Sequence, residues 1–421
     1  MAPRSILFIE NSIGLSGSTM SLVTLLNRLD RGRFEPRIAV SRPEQADYLR
    51  RHLREPADIA VISPRRGLKH TGWIRHLATA ESRVPRPLRR PILRLAGLLD
   101  LAVVALPYAL RLRGFAGSRV DLIHQNNGFD FGAIILSRML GRPLVAYQRG
   151  DEWNSPVVRW FARGVTTFVA NSVATRKSLE ALRVPDERMS VIYPPLELGV
   201  FDGRGDGAGA RAALAIDPDT PVVGILGIMV PWKGHGVFLR AVRAIRERVP
   251  GVHGLVIGGH PPGGEGYVAE LKALAAELGI GDHVTFTGFR PDVADLLPAL
   301  DVVTHTSVEP EPFGRVITEA MAMKRPVVAS AAGGPVEIIE DGVSGFLVTP
   351  GDHEALAERV IQLLKDPSRA RMIGERAAQD VAQRFSAERH ARLMEEVYDS
   401  AMRMQPLNPR SPVPARGGAR R

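Results

Sequence analysis

The chain has 421 residues, which suggests two or three domains, and its 45% hydrophobic content is enough for real cores. It contains no cysteine, which excludes disulfides, a thiolate nucleophile and a cysteine metal site, and fits a reducing, cytoplasmic setting. The formal charge of +10 is uneven: residues 1–200 hold about 30 Lys and Arg against about 17 Asp and Glu, near +13, so the rest is close to −3. A basic half points to an anionic surface or substrate. Nucleic acid fits poorly, because no nucleic-acid motif is present and the basic stretches lack interleaved aromatics. Anionic lipid, or an acceptor carrying a pyrophosphate, fits better. The opening MAPRSILFIENSIG has a short apolar run that reads as a strand rather than a signal peptide. No apolar run reaches the roughly 20 residues that span a bilayer.

Ser5–Glu10 reads as a buried strand, Asn11–Thr19 as a Gly/Ser turn and Met20–Leu29 as a helix, an opening that suits an α/β domain. Gly14-x-x-Gly17 is too short for a dinucleotide fingerprint and reads locally as a tight turn. Arg37–Val40 and Asp58–Ile62 read as strands. Residues 64–92, rich in Arg, Pro and Gly, read as irregular basic structure. Ile92–Arg113 is long and apolar, punctuated by Arg94, Asp100, Arg111 and Arg113, with a kink expected at Pro107. Two readings of it stay open: a helix buried in its own domain, or an interfacial membrane helix flanked by Arg83, Arg86, Arg89 and Arg90.

Val120–His124, Pro143–Tyr147 and Thr167–Ala170 read as strands, with Asn171-Ser172 placed to cap a following helix. Loops at strand C-termini are where open α/β sheets bind ligands. His124, at one such end, is either structural or a direct participant. Val191–Pro195 closes the first domain and residues 199–220 read as a linker. Asp217-Pro-Asp219 reads as a turn rather than a metal-binding pair. A second α/β series follows. Strand Val222–Leu226 leads through Gly227 and Lys233 to a long helix, and a lysine on such a loop can neutralise a diphosphate. His253–Gly259, His283–Thr287 and Asp301–His305 are further strands. After Gly345–Val348, helices fill Asp352–Arg403 and the tail 405–421 reads as disordered.

The stretch Ser307–Glu340, SVEPEPFGRVITEAMAMKRPVVASAAGGPVEIIE, organises the rest. It reads as a loop, a helix over Arg315–Lys324 beginning after Gly314, a strand Val327–Ser330 and a Gly-Gly turn. The first turn of a helix offers unpaired N–H groups and the positive end of its dipole, a seat for phosphate. Glu311 before the helix and Glu319 on it cannot favour phosphate by charge. They can accept from sugar hydroxyls or stabilise a developing positive charge. The stretch is suited to a molecule with both a diphosphate and a sugar.

Glu311-Pro-Phe313-Gly314, Glu319-Ala-Met-Ala, Arg325-Pro-Val-Val-Ala-Ser and Gly333-Gly334 together resemble the retaining nucleotide-sugar glycosyltransferases of family 4. The resemblance implies the α/β GT-B architecture, two Rossmann-like domains facing across a cleft. It covers roughly residues 5–400, densely in the second domain and thinly in the first. It implies that Glu311 contacts the donor sugar at its reacting face and Glu319 the nucleotide ribose. The amides of Gly314, Arg315 and Val316 would touch the diphosphate, with Phe313 in the same donor-binding set. Phe289 would lie beside the base, and Gly17 would let the backbone approach the donor phosphates or acceptor. After Gly227 the family has an arginine and, five residues later, a lysine. Lys233 matches, but Ile228 replaces the arginine. The family also places a histidine after the strand matching Pro143–Tyr147. Arg149, or Gln148, stands there, so the N-terminal catalytic partner is open between Arg149, His124 and Asp151.

The expected organisation is an acceptor-side domain over 1–199, a donor-binding domain over 200–385, a helix over 386–404 crossing back to the first, and a basic tail over 405–421. The expected activity is retaining transfer of a sugar from a nucleotide diphosphate donor to a glycan or lipid-linked acceptor. No metal or cofactor is required, and peripheral contact with the inner face of a membrane is expected. The rival readings are another GT-B enzyme, such as an epimerase or phosphorylase, and a non-catalytic sugar-nucleotide-binding protein.

Overall fold

Residues 2–12, 15–64, 101–117, 119–128, 130–150, 156–202, 205 and 207–404 are described by a computed structural model. The expected irregular stretch 64–92 beyond its first residue, the arginine run 83–94, the apolar residues 92–100, Gly14, Asp151 and the tail 405–421 lie outside the described residues. The chain divides into two units. Unit 1 takes the chain up to Asn171, Thr175–Ile192 and everything from Ala391 on, and unit 2 takes Ser172–Ala174 and Tyr193–His390.

Unit 1 is built on β1 (Arg4–Glu10), β2 (Phe34–Val40), β3 (Asp58–Val61), β4 (Val120–Gln125), β5 (Leu144–Gln148), β6 (Thr167–Ala170) and β7 (Met189–Val191). They pair in the order β3-β2-β1-β4-β5-β6-β7, every ladder parallel. A parallel sheet is covered on both faces, so its strands are continuous apolar runs. Ile6, Leu7, Phe8 and Ile9 all have no exposed surface. Alternation sends Ile6 and Phe8 into one core with Leu22, Leu26, Met394 and Tyr398. Leu7 and Ile9 enter the other, with Tyr108, Leu112 and Ile134. Helices start and stop on local chemistry. Asp130 accepts the Ala133 N–H at 2.7 Å to cap Phe131–Leu140, which ends at left-handed Gly141.

Unit 2 carries β8 (Val222–Leu226), β9 (His253–Ile257), β10 (Val284–Gly288), β11 (Val302–His305), β12 (Val327–Ser330) and β13 (Phe346–Val348). Their order is β10-β9-β8-β11-β12-β13, again all parallel. Both sheets therefore run outward from a central pair, β1/β4 in unit 1 and β8/β11 in unit 2. In such sheets ligands bind outside the carboxyl ends of that pair, where the winding direction reverses.

Several local expectations are corrected. The first helix spans Gly17–Leu26, three residues earlier than its apolar run suggests. The stretch 199–220 is not a free linker: it holds the helix Ala208–Ala213, and Gly207, at φ 90°, packs so closely on Pro298 that a Cβ would lie 2.4 Å from the proline's backbone. Asp217 accepts the Asp219 N–H at 2.9 Å and forms the expected turn. At Pro107 a widened π-type turn, Leu101–Ala105, runs into the helix Leu106–Ala116. The proline's missing N–H removes the α-type bond there. Of this segment's described part, Tyr108, Ala109, Leu112 and Ala116 are buried in unit 1, while Val103, Leu106 and Leu110 are exposed. No helix among the described residues is long and apolar enough to cross a membrane.

Candidate active site

Unit 2 assembles its candidate site at the carboxyl ends of β8 and β11. The loop after β8 runs Gly227–Gly234, and that after β11 runs Thr306–Gly314. Three hydrogen bonds join them. Thr306 Oγ1 donates to the carbonyls of Lys233 and Gly234, both at 3.0 Å, and the Val308 N–H donates to the Trp232 carbonyl at 2.8 Å. Gly234 makes the approach possible: its φ is 70°, and a Cβ there would lie 1.9 Å from the Thr306 carbonyl oxygen.

This joining brings Lys233 to Glu311. The Lys233 Nζ donates to Glu311 Oε2 at 2.5 Å and lies 4.3 Å from the Trp232 ring centroid. His305 Nε2, at 3.2 Å, and the Ser307 hydroxyl, at 3.1 Å, reach the same Oε2, while Oε1 takes part in none of the three contacts. The Glu311 residue is 9% exposed. Burial pushes its pKa up, but the His305 hydrogen bond and the Lys233 charge outweigh burial and hold it at about 2. The group is a carboxylate at any physiological pH. Beside it His235, fully buried, has its pKa lowered to about 4 by burial and the Lys233 charge, and is neutral.

The Gly-Gly turn is the floor under this carboxylate. The Gly334 N–H donates to the Glu311 carbonyl at 2.7 Å, and the Glu311 N–H donates to the Ala332 carbonyl at 3.3 Å. A Cβ on Gly333, φ 75°, would lie 2.2 Å from the Glu311 carbonyl oxygen, and one on Gly334 2.1 Å from that of Phe313. Only glycine fits at either place.

The helix after Glu311 spans Arg315–Ala322 and stops two residues short of the expected end, with Lys324 in the left-handed region. Gly314 precedes it at φ 103°, and no side chain caps it. The amides of Arg315 and Val316 belong to the first turn of this helix, whose N–H groups point out of its start. Glu319 accepts from Arg315 at 3.1 Å, and burial raises its pKa against that pairing. Gly227 has φ 148°, and its N–H is held by the Ile257 carbonyl at 2.9 Å. Ile228 is 45% exposed, at the place of the family's arginine. Phe289, after β10, is 79% exposed, the most open of the large apolar side chains among the described residues. Phe313 is a correction: its side chain is buried, with ring contacts to Tyr193 and Phe385 at 5.8 and 5.6 Å, so it anchors the loop from below.

Unit 1 has its own polar cluster at the carboxyl ends of β1, β4 and β5. Buried Glu10 accepts from the Ser12 N–H at 2.8 Å, the Ser18 hydroxyl at 3.3 Å and the Asn126 amide. Arg149 donates from Nε to the Asn126 carbonyl at 2.8 Å and from Nη2 to Asn126 Oδ1 at 3.0 Å, and lies 4.1 Å over the Tyr147 ring. Gly17 is the exposed first residue of its helix, and the preceding Ser16 hydroxyl bonds Ser12 and Ser18 instead of capping it. His124 is a second correction. It has no exposed surface, takes the Tyr398 hydroxyl at Nδ1 (3.0 Å) and packs against Phe8, Tyr147 and Tyr398. Alternation along β4 turns residue 124 into the core, which leaves no atom for a substrate to touch. Among the described residues no group of three His, Asp or Glu side chains is placed to hold a metal.

The sequence reading missed His305, Ser307, Trp232 and Glu10. His305 alone carried a signal, a histidine at a strand's carboxyl end six residues before the key glutamate.

Comparison with known proteins agrees with this geometry. Residues 15–199 match the family model described as Glycosyltransferase Family 4, and residues 209–380 that described as Glycosyl transferases group 1. A Mycobacterium marinum protein named D-inositol 3-phosphate glycosyltransferase is 39% identical over 227 residues, 52% of this chain and 47% of that protein. The chain thus spans about half the length of the curated relatives it matches. The crystal structure of Anabaena HepE in complex with UDP and glucose is 26% identical, with a TM-score of 0.76 over 94% of this chain and 100% of that one. A glycosyltransferase from Rickettsia africae shares the fold at a TM-score of 0.77 and 19% identity, over 96% of this chain and 100% of that one. Matched by these two models over its two halves, and alike in fold to HepE along nearly its whole length, the chain belongs to the glycosyltransferases of family 4 and has the GT-B fold.

Proposed function

We propose that the chain is a retaining, metal-independent glycosyltransferase. It moves a sugar from a nucleoside diphosphate donor to a hydroxyl of a glycan or lipid-linked acceptor, in cell-envelope or surface polysaccharide synthesis. One observation carries the reading: a carboxylate ionised down to about pH 2 is fixed through Oε2 beside an uncapped helix start.

The donor's diphosphate lies on the amides of Arg315 and Val316. Lys233 has three N–H donors, so it serves Glu311 and a phosphate oxygen together. Glu319 accepts from the ribose hydroxyls, and the open ring of Phe289 stacks on the base. As the bond from the anomeric carbon to the diphosphate oxygen breaks, its electron pair leaves with the diphosphate. Lys233 and the helix amides meet that negative charge, which is electrostatic catalysis by preorganised donors. Glu311 meets the positive charge left on the sugar ring. The acceptor oxygen bonds to the anomeric carbon from the leaving group's face, its proton passes to the departing diphosphate, and configuration is retained. The likeness to HepE, whose crystals hold UDP and glucose, supports a uridine nucleotide donor.

The basic first half supports an acceptor that carries phosphate, with Arg149 as the N-terminal group that meets it. The exposed Val103, Leu106 and Leu110 support peripheral docking of unit 1 on the inner, cytoplasmic face of an anionic membrane. A second reading, a sugar-nucleotide-binding protein without transfer, draws on Ile228 and Arg149 standing where the family has arginine and histidine. A panel of nucleotide sugars, scored for binding and for slow hydrolysis, separates the two. Binding without any hydrolysis or transfer favours the second.

A further inference from the structure

A basic recess lies in unit 1, at the edge where β6 and β7 begin. Arg149 and the Glu10 cluster sit at the opposite edge, where strands end. Here the residues that lead into the two strands and the helix Pro156–Ala162 leave a recess of about 580 Å³. Arg159, Trp160, Arg163, Leu182, Arg183 and Arg188 line it, and among the described residues no carboxylate does.

These cations are poorly matched inside the protein. The Arg159 Nε is shut off from solvent with no hydrogen-bond partner. Arg188 is steadied by carbonyls alone, its Nε donating to Thr166 at 3.2 Å and its Nη2 to Arg163 at 3.3 Å. Burial lowers its pKa, partly offset by the charge of Glu187. Asp186, close in sequence, is turned to Arg176 at 3.2 Å. Positive groups gathered in a recess, one with a stranded donor, call for an anion that accepts several N–H groups at once. Phosphate does so with the guanidinium fork.

The surroundings select the source of that phosphate. Trp160 is 50% exposed, with the Arg138 guanidinium 5.1 Å from its ring centroid, and Val157 on the same helix is also open. A dissolved anion needs neither apolar group. A lipid headgroup does, because tryptophan with arginine is the pairing that settles at a membrane–water interface. We propose that this recess binds the phosphate of an anionic phospholipid headgroup, with Trp160 and Val157 entering the interface beside it. The proposal rests on the membrane-docking reading above and gives it an address.

The test is co-sedimentation with phosphatidylcholine vesicles, with and without phosphatidylglycerol, at low salt. Wild type should pellet only with the anionic vesicles. The Arg159→Ala/Arg163→Ala double variant should lose binding by about tenfold or more. Trp160→Ala should also lose it, and donor hydrolysis by both variants should stay at the wild-type rate, as a check on folding. If wild type stays in the supernatant, the docking reading and this site both fall. If wild type pellets and both variants pellet equally, docking stands and this site alone falls. If inorganic pyrophosphate displaces the vesicles while Trp160→Ala changes nothing, the recess takes a soluble anion and the lipid assignment is overturned.

Discussion

The Nζ of Lys233 lies 2.5 Å from Oε2 of Glu311, across 78 residues of sequence. The pair joins the loops after β8 and β11, so the cation that would meet the leaving group and the carboxylate that would face the sugar are positioned by one contact. Disturbing either partner disturbs the other.

Glu311→Ala should abolish transfer while leaving the protein folded. We expect less than about a tenth of wild-type turnover, a loss above roughly 1.4 kcal/mol. Retention of more than that, with an unchanged circular dichroism spectrum, would remove Glu311 from the chemistry.

Lys233→Ala should weaken donor binding by about tenfold or more, since a hydrogen bond to a charged group contributes roughly 1.5–3 kcal/mol and Ile228 supplies no second cation. Ile228→Arg should tighten binding. Calorimetric titration with the nucleoside diphosphate reads both. An unaltered affinity in Lys233→Ala would place the diphosphate elsewhere.

The pKa of Glu311 gives a pH signature. It is lowered from 4.5 to about 2 by His305 and Lys233 against the effect of burial. A depressed carboxylate contributes stability that is fully present above its unfolded value and is lost as pH falls through the folded one. The contribution should therefore be intact above about 4.5 and fade toward 2. Thermal unfolding of wild type and Glu311→Gln across that range should show the gap between them closing in acid. A gap that stays constant would mean that the carboxylate is not held in this way.

Gly333→Ala and Gly334→Ala should each destabilise unit 2 by about 1–3 kcal/mol, the usual cost of forcing extra volume into packed structure. Turnover should fall by more than binding does, because the displaced atoms carry Glu311. Urea unfolding with steady-state kinetics measures both. Gly342→Ala, at positive φ like Gly333 but with open space around it, is the control for backbone strain alone.

A chelator should leave transfer intact, because Lys233 and the helix amides meet the diphosphate charge in the proposed mechanism. Complete loss, restored by magnesium or manganese, would overturn that part of the reading.

Much of this was readable from the residues, and the gaps have physical causes. β6, β8 and β12 fall on their expected residues because buried parallel strands are short, uniformly apolar and sharply bounded. Lys233 and Glu311 could be named because each sits on a loop after a strand, in a motif of fixed spacing. The meeting of three groups at one Glu311 oxygen was hidden: His305 and Ser307 reach Oε2 from the end of β11 and its own loop, and Lys233 arrives only once β8 and β11 lie side by side. His124 misled because a histidine near a strand's end looks available, whereas the pleat decides which way it faces. Phe313 misled likewise: its motif lies at the site, but its ring points into the core. The Gly-Gly pair reads as a turn, and its close packing on the Glu311 backbone exists only once the loops are in place.

The helix Ala387–Arg403 places Ala391, Met394, Tyr398 and Ala401 in the core that also holds Ile6, Phe8 and Leu22. One wall of unit 1 is thus the last part of the described chain to be made, while unit 2 is whole by residue 390. During synthesis the second unit should settle first, and the earlier one should wait, its apolar face open, for a helix that has yet to leave the ribosome. Chaperone dependence, or aggregation of nascent chains halted before residue 391, is where that inversion of birth order and folding order would be felt.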